Sequence, residues 1–375
     1  MVTLLMTILF ILCLVWFVSK GIRWMREKVW FRWVVIGGGC LLVIFIVLLF
    51  VGCPLFFEYF EYPRYGCWCW GPKNEKGEYT ILYEKFGSKM SHLKGAGMLG
   101  YTKVGSFSKI CRINPDGSGD KVLFENSGPD KKEPDSKGFA LRDYCQKTNC
   151  ILGLNCQGFW EVNLADKSKR LIMPNPQYRE TYFAEFSPDG TKIAYISRPS
   201  GHGEKNIWLV DIKAGWRKWI GRSDNVTWHP SGKYIYGAGM RDLDGNMLSP
   251  DFPRGIASPS FSPDGNYIVG YCAMVRVKRM VVEGKEKWVG EKVPFGGGQS
   301  SKWSPDGRYI IEGWEGGVFM YDLLYGICET SVIPEGKTTE YTRQQSAGML
   351  KRYRKWLEEN DPVWWDMMIK RFPGR

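Results

Sequence analysis

Two stretches near the start of the chain, Val2 to Val18 and Val34 to Val51, are almost uninterruptedly apolar. Each is close to the length needed to cross a bilayer. Neither has a polar face, which argues against amphipathic core helices. The pattern predicts a hairpin of two transmembrane helices, at about 2–18 and 34–52. No basic residue precedes the first run and no small-residue cleavage pattern follows it, so it reads as a retained helix rather than a leader. The connecting loop, 19–33, holds Lys20, Arg23, Arg26, Lys28 and Arg32 against Glu27. A short loop this basic stays on the cytoplasmic side, which turns both termini outward and puts the rest of the chain in a periplasmic or extracellular space.

Beyond residue 75 the pattern changes to short alternating runs broken by one recurring turn. Ser187-Pro188-Asp189-Gly190, His229-Pro230-Ser231-Gly232, Ser262-Pro263-Asp264-Gly265 and Ser304-Pro305-Asp306-Gly307 each follow an aromatic residue: Phe186, Trp228, Phe261 and Trp303. Each also precedes a β-type run. Proline pre-sets the first corner, Asp suits the second and glycine accepts the left-handed conformation that closes a hairpin. The prolines recur at intervals of 42, 33 and 42 residues, the range of one propeller blade per repeat.

A second motif extends the count. Ile110 to Asn114, Phe159 to Asn163, Ile207 to Asp211 and Val318 to Asp322 are alike, and Arg279 to Glu283 is a looser copy. Six blades follow if one further strand of this kind lies near residue 250. Leu141 to Ile151 aligns without a gap on Phe183 to Ile193, which places Cys145 and Cys150 on either side of a turn that has lost its proline and glycine. The first blade is expected near Met90 to Tyr101, where the motif is worn. The predicted organisation is an all-β propeller of six four-stranded blades over 76–335. It is preceded by the helical hairpin, 1–55, and an aromatic juxtamembrane junction, 56–75, and followed by amphipathic helices over 336–375.

These turns and strand ends resemble those of the TolB-type six-bladed β-propellers, which also occur in prolyl-oligopeptidase-like enzymes. The resemblance covers roughly residues 75 to 335 and implies a fold, since propellers host many unrelated functions. The α/β domain of periplasmic TolB proteins and the hydrolase domain of the peptidases have no counterpart in this sequence, and no Gly-x-Ser-x-Gly elbow occurs in it.

Composition adds detail. The net charge of +12 is concentrated in the loop 19–33 and in the tail from Lys337 onward, which suits anionic lipid or an acidic partner better than nucleic acid. The aromatic junction holds Phe56, Phe57, Tyr59, Phe60, Tyr62, Tyr65, Trp68 and Trp70 and reads as an interfacial belt. Of eleven cysteines, Cys13 and Cys40 lie in the apolar runs, and Cys145 with Cys150 form the best disulfide candidate. Reduced core cysteines fit the spacing equally.

The catalytic inventory is small: His92, His202 and His229 are the only histidines, and His229 reads as turn packing. Asp242, Asp244 and Asn246 alternate like part of a calcium loop but lack the later glutamate, so a plain Asp-Gly turn competes with calcium binding. No other cofactor is indicated. In the tail, Asp361-Pro362 reads as the cap and first turn of a helix. Trp356, Trp364, Trp365, Lys370 and Arg371 are candidates for contact with membrane or a partner, or for docking on the propeller rim.

The expectation is a membrane-anchored, extracytoplasmic propeller that binds protein partners or scaffolds an envelope complex, with no nucleic acid. A propeller hydrolase or lyase acting on peptide or glycan, and a ligand sensor signalling through a membrane partner, are the alternatives.

Overall fold

A computed structural model of the chain describes residues 57–93, 102–127, 139–174, 181–198, 203–249, 252–253, 256–271, 273–295, 300–314, 317–325, 328–329 and 340–373. Both apolar runs, the basic loop between them, and His202 lie outside these residues. Among the described residues, no helix is long and apolar enough to cross a membrane. The chain divides into two compact units. The one described below comprises Glu61–Lys89 and Gly105–Arg375. The other comprises Met1–Phe60 and Met90–Val104, and its described residues belong to strands β1, β2 and β3.

Six antiparallel sheets follow one another along the chain, each made from consecutive strands. Blade 1 holds β1 (Phe57–Lys73), β2 (Tyr79–Leu93), β3 (Thr102–Ile113) and β4 (Lys121–Ser127), and blade 2 holds β5 (Ala140–Cys145), β6 (Cys150–Asn155), β7 (Gly158–Asn163) and β8 (Lys169–Pro174). Blade 3 comprises β9 (Thr181–Phe186), β10 (Lys192–Ser197), β11 (Asn206–Asp211) and β12 (Arg217–Arg222), and blade 4 comprises β13 (Thr227–Trp228), β14 (Tyr234–Tyr236) and β15 (Met240–Asp242). Blade 5 has β16 (Ser260–Phe261), β17 (Tyr267–Gly270), β18 (Ala273–Val282) and β19 (Lys285–Val293), and blade 6 has β20 (Ser300–Trp303), β21 (Tyr309–Trp314), β22 (Gly317–Asp322) and β23 (Cys328–Glu329). The architecture is a six-bladed β-propeller.

The recurring turn earns its place by hydrogen bonding. Ser187 Oγ donates to Asp189 Oδ1 (2.6 Å) and accepts from Lys192 N (2.9 Å), while Gly190 takes φ +73°. Ser262 with Asp264 and Ser304 with Asp306 repeat the arrangement. In blade 4 His229 replaces the serine: its Nδ1 lies 2.8 Å from Ser231 Oγ, and its ring sits edge-on to Tyr234, Phe261 and Trp288. Burial lowers its pKa, so the turn-packing reading describes its place.

Three sequence expectations need correction. The first blade begins within the stretch read as a juxtamembrane junction, because β1 runs from Phe57 to Lys73 and its hairpin turn is Asn74 to Gly77 rather than near Met90. Asn74 Oδ1 accepts from Lys76 N and Glu78 N, doing the work of Ser and Asp with one side chain. Among the described residues blade 4 has three strands, with an isolated bridge, Arg241 to Met247, beyond them. Its strand end is Asp242, earlier than the position near 250 that even spacing implied. The proline interval of 33 already carried that shortening.

Among the described residues the ring closes without a shared strand. Trp70, Ile81 and Tyr83 of blade 1 form one buried cluster with Ile311, Val318 and Met320 of blade 6. Trp70 Nε1 donates to Lys302 O (3.1 Å), and the Trp68 indole lies so close over Gly313 that a Cβ there would overlap it.

The tail forms α1 (Glu340–Asn360) and α2 (Pro362–Arg371), with Asp361 capping α2 as the sequence implied. Leu350, Tyr353, Leu357, Trp364, Trp365 and Met368 are buried in one cluster with Tyr267, Phe295, Trp303 and Tyr321 of the propeller. Asp361 Oδ2 accepts from Tyr267 OH (2.6 Å) and pairs with Arg276 (2.9 Å), and Trp364 Nε1 donates to Asp264 Oδ2 (2.9 Å). Thus Trp364 and Trp365 are docked on blades 5 and 6 and Trp356 packs partly against the same cluster, whereas Lys370 and Arg371 remain exposed. Of the alternatives the sequence left open for these tryptophans, docking on the propeller holds for Trp364 and Trp365. Apolar periodicity is the same whether a helix faces lipid or protein, so the pattern could not separate the two.

Candidate functional site: the channel mouth

The innermost strands β1, β5, β9, β13, β16 and β20 each place one side chain immediately before the aromatic residue that leads into the turn. These six equivalent positions are Cys69, Asp143, Glu185, Thr227, Ser260 and Lys302. Three of them fasten neighbouring blades together. Asp143 Oδ2 accepts from Phe186 N (2.8 Å), Glu185 Oε2 from Trp228 N (3.1 Å) and Ser260 Oγ from Trp303 N (3.2 Å). In every case the acceptor in one blade meets the backbone N–H of the next, 43 residues on.

Lys302 works differently. Blade 6 is the third blade round from blade 3, so its inner strand stands across the axis from β9. Lys302 Nζ nevertheless reaches Glu185 Oε1 at 3.0 Å, with a quarter of the Lys302 side chain and less of Glu185 exposed. The pair therefore spans the channel. Burial opposes the Lys302 ammonium, but Glu185 and Asp143 outweigh it and hold its pKa above the ordinary lysine value. Asp143 is pushed up to about 7, first by burial and then by the Glu185 carboxylate, against the opposing pull of Lys302. The Cys69 thiol beside them is pushed well up by burial and by Asp143, so it is no ready nucleophile.

Over this group lies a cavity of about 360 Å³ whose wall includes Cys67, Trp68, Arg142, Phe183, Val226, Pro259, Ser300 and Lys302. Arg142 reaches it because β5 is irregular between Leu141 and Asp143, which turns an extra side chain toward the axis. Its Nη1 lies 3.3 Å from Cys67 Sγ. Two buried donors in this wall, Arg142 Nε and Trp68 Nε1, have no acceptor among the described residues. Buried donors left unpaired cost roughly 1–3 kcal/mol each, so an acceptor oxygen placed here would be stabilised. The exposed Phe183 ring, with Val226 and Pro259, supplies an apolar flank.

Residues singled out by sequence lie elsewhere. Asp242 is the blade 4 counterpart of the strand-end residues Asn114, Asn163, Asp211 and Asp322, and like Asp211 and Asp322 it accepts backbone N–H groups of its own turn. Its Oδ1 takes Asp244 N (2.9 Å) and Asn246 N (2.8 Å), its Oδ2 takes Asn246 Nδ2, and Asp244 is paired with Lys218 (2.6 Å). The loop is an Asx turn whose oxygens are already engaged. Among the described residues, no group of three His, Cys, Asp or Glu side chains could hold a metal. Cys145 and Cys150 are directly opposed in the β5–β6 ladder, as the alignment predicted, and both are buried free thiols. Cys150 Sγ donates to Thr148 O instead (3.2 Å).

The channel group itself escaped sequence reading, although a signal was present. The residue before each aromatic varies through Asp, Glu, Thr, Ser and Lys while the aromatic character of the next position persists. A change between acid, base and neutral residue at one position of a repeat marks a place where the blades stop being equivalent.

No family model matches the chain. Among curated proteins, the uncharacterized peptidase YuxL of Bacillus subtilis (strain 168) is 28% identical over 105 residues, which is 23% of this chain and 16% of that protein. The chain therefore spans well under two thirds of that relative's length. TolB from Acinetobacter baumannii is similar in structure, with a TM-score of 0.39 and 12% identity over 71% of this chain and 77% of that one. A putative TolB from Agrobacterium tumefaciens gives 0.36 and 18% identity over 54% and 80%. An oligogalacturonate lyase from Vibrio parahaemolyticus gives 0.38 and 11% over 77% and 90%. What the strands establish is a six-bladed β-propeller, closed over a charged channel mouth and carrying a short C-terminal helical tail.

Proposed function

We propose that this chain is a membrane-anchored, extracytoplasmic propeller that serves as a binding subunit of an envelope or membrane complex, and that the channel mouth is its recognition site. One observation carries the site. At equivalent ring positions Ser260 fastens its neighbour with a neutral hydroxyl, whereas Asp143 and Glu185 do the same work with buried carboxylates that then require Lys302 from across the axis. Fastening does not need charge. Two acids, one ammonium and the unpaired donors of Arg142 and Trp68 make a polar floor beneath an apolar rim, the arrangement that orients a ligand in a concave site. The anchor rests on the apolar runs 2–18 and 34–51 and the basic loop between them.

A photo-crosslinker at Phe183, on the exposed rim, tests the reading in native membranes. Adducts with one defined partner or ligand, reduced when Arg142 is replaced by Met, are expected. Adducts that are absent, or unchanged by Arg142→Met, contradict it. Protease accessibility in sealed vesicles separately tests the side on which the propeller lies.

A further inference from the structure

The same rung of the outer hairpin carries opposite chemistry in blades 1 and 2. In blade 2, two residues before the strand-end Asn163, Glu161 stands opposite Arg170 and pairs with it at 2.6 Å. In blade 1, two residues before Asn114, Arg112 stands opposite Lys121. Like charges directly opposed across an antiparallel pair are destabilising. The repeat thus contains one copy of this rung with the charge answered and one with it doubled.

Blade 2 brings a third cation to the same place. In the turn between β7 and β8, Lys167 N donates to Asn163 O, as Gly215 N donates to Asp211 O in blade 3. Gly215 has φ +71°, which glycine adopts freely, whereas Lys167 holds φ +62°, which side chains disfavour. From there its ammonium crosses the seam between the blades and lies 4.4 Å from the centre of the Phe124 ring of β4, with Lys169 5.8 Å from the same ring. Burial, then Lys121 and then Arg112 hold the Lys167 pKa below the ordinary lysine value, so the three charges act on one another. Among the described residues no carboxylate pairs with these three, and those nearest in sequence are engaged elsewhere. Asp166 accepts from Ser168 N (2.9 Å), Asp120 accepts from Tyr83 OH (2.7 Å), and Glu125 faces Lys109 (3.9 Å).

We infer that this seam between the outer hairpins of blades 1 and 2 binds a phosphate monoester, at a site apart from the channel mouth and independent of what binds there. A guanidinium forks onto two oxygens of one anionic group, and lysine ammonium groups act beside it as point charges. A carboxylate brings a single negative charge to three converging cations. A phosphate monoester brings roughly 1.5–2 charges and three acceptor oxygens, enough to answer Arg112, Lys121 and Lys167 together. Glycine serves the same turn in blade 3, so closing the hairpin does not call for a lysine. A residue held in a disfavoured backbone conformation to aim its charge is the kind of local cost that binding sites carry.

The test uses the full chain in phosphatidylcholine nanodiscs and follows acetylation of individual lysines by mass spectrometry, with Lys213 in the exposed turn of blade 3 as the reference within each sample. Sodium acetate, glycerol phosphate, polyglutamate, and vesicles with or without phosphatidic acid are added at equal ionic strength. Acetylation of Lys121 and Lys167 that is several-fold slower in glycerol phosphate than in acetate, with Lys213 unchanged, is expected for a soluble phosphate ester. The same protection by phosphatidic acid vesicles alone assigns the phosphate to a lipid surface and equally supports the inference. Equal acetylation in every sample overturns it, and so does protection by polyglutamate alone, the result for an acidic protein segment. Lys167→Gly, which suits the turn as Gly215 does, should abolish the protection of Lys121 by whichever phosphate protects the parent. Protection retained in that variant, with near-ultraviolet circular dichroism confirming its fold, also overturns the inference.

Discussion

Half of the channel ring is charged and half is neutral, and the same kind of fastening between blades occurs in both halves. In blades 2 and 3 the linking side chains are Asp143 and Glu185, whose charge is answered by Lys302 of blade 6; in blade 5 the link is Ser260, and blades 1 and 4 place buried Cys69 and Thr227 at the same position. A hydroxyl that accepts one N–H is a cheap fastening. A carboxylate in the same place must be desolvated and then compensated. The difference separates what the ring needs for closure from what it carries in addition.

The sharpest way to break the comparison is to remove the compensating cation alone. Lys302→Met leaves Asp143 and Glu185 facing each other unpaired, and a loss of about 3–5 kcal/mol in urea unfolding at neutral pH is expected. The same substitution matters less in acid, where the carboxylates are protonated. A loss under 1 kcal/mol would show that the pair across the axis is not formed.

Closure on the neutral side rests on packing rather than charge. Gly313→Val forces a side chain into the space of the Trp68 indole, and overpacking of this kind costs about 1–3 kcal/mol. Because Trp68 also lines the cavity, the variant should weaken capture of ligand as well as stability, whereas Lys302→Met disturbs the floor and leaves the blade 1 to blade 6 cluster intact.

A pH titration sharpens the charged half further. The Asp143 pKa is raised from 3.8 to about 7 in the folded chain, so its contribution to stability is full below 3.8 and is lost as pH rises through about 7. Asp143→Asn keeps an oxygen for Phe186 N and cannot ionise. Relative to the parent, the variant should gain stability steadily between these two values and show no further gain above them; a flat difference across the range would contradict the assignment. The smallest effect belongs to the neutral link: Ser260→Ala removes one acceptor from Trp303 N and should cost about 1 kcal/mol at every pH.

The same division explains what could be read from the sequence. Turn and strand-end motifs are local: Ser187, Asp189 and Gly190 interact within one hairpin, so their spacing alone counted blades. Asn74 and the Cys145–Cys150 turn reach similar geometry by other chemistry, which is why blade 1 was misplaced and blade 2 needed an alignment. Asp242 reads in the sequence either as a plain turn or as part of a calcium loop, because the two share the same alternating oxygens, and its hydrogen bonds show the turn. Lys302 and Glu185 are 117 residues apart and meet only because six blades close, and no local pattern encodes a contact across an axis. The burial of Trp364 and Trp365 is equally non-local, since it depends on Tyr267 and Asp264 being presented by blade 5.

The measurement that tests the central claim most directly neutralises the ring in one step, with Asp143→Asn, Glu185→Gln and Lys302→Met together in the full chain. Replacement of a buried charged group as a set is neutral or stabilising when the volume is kept. The account predicts that the triple variant unfolds at the parent's urea midpoint or higher, yet gives several-fold fewer adducts from the crosslinker at Phe183. A triple variant that retains the parent's adducts would show that the charges across the channel belong to the fold and not to recognition.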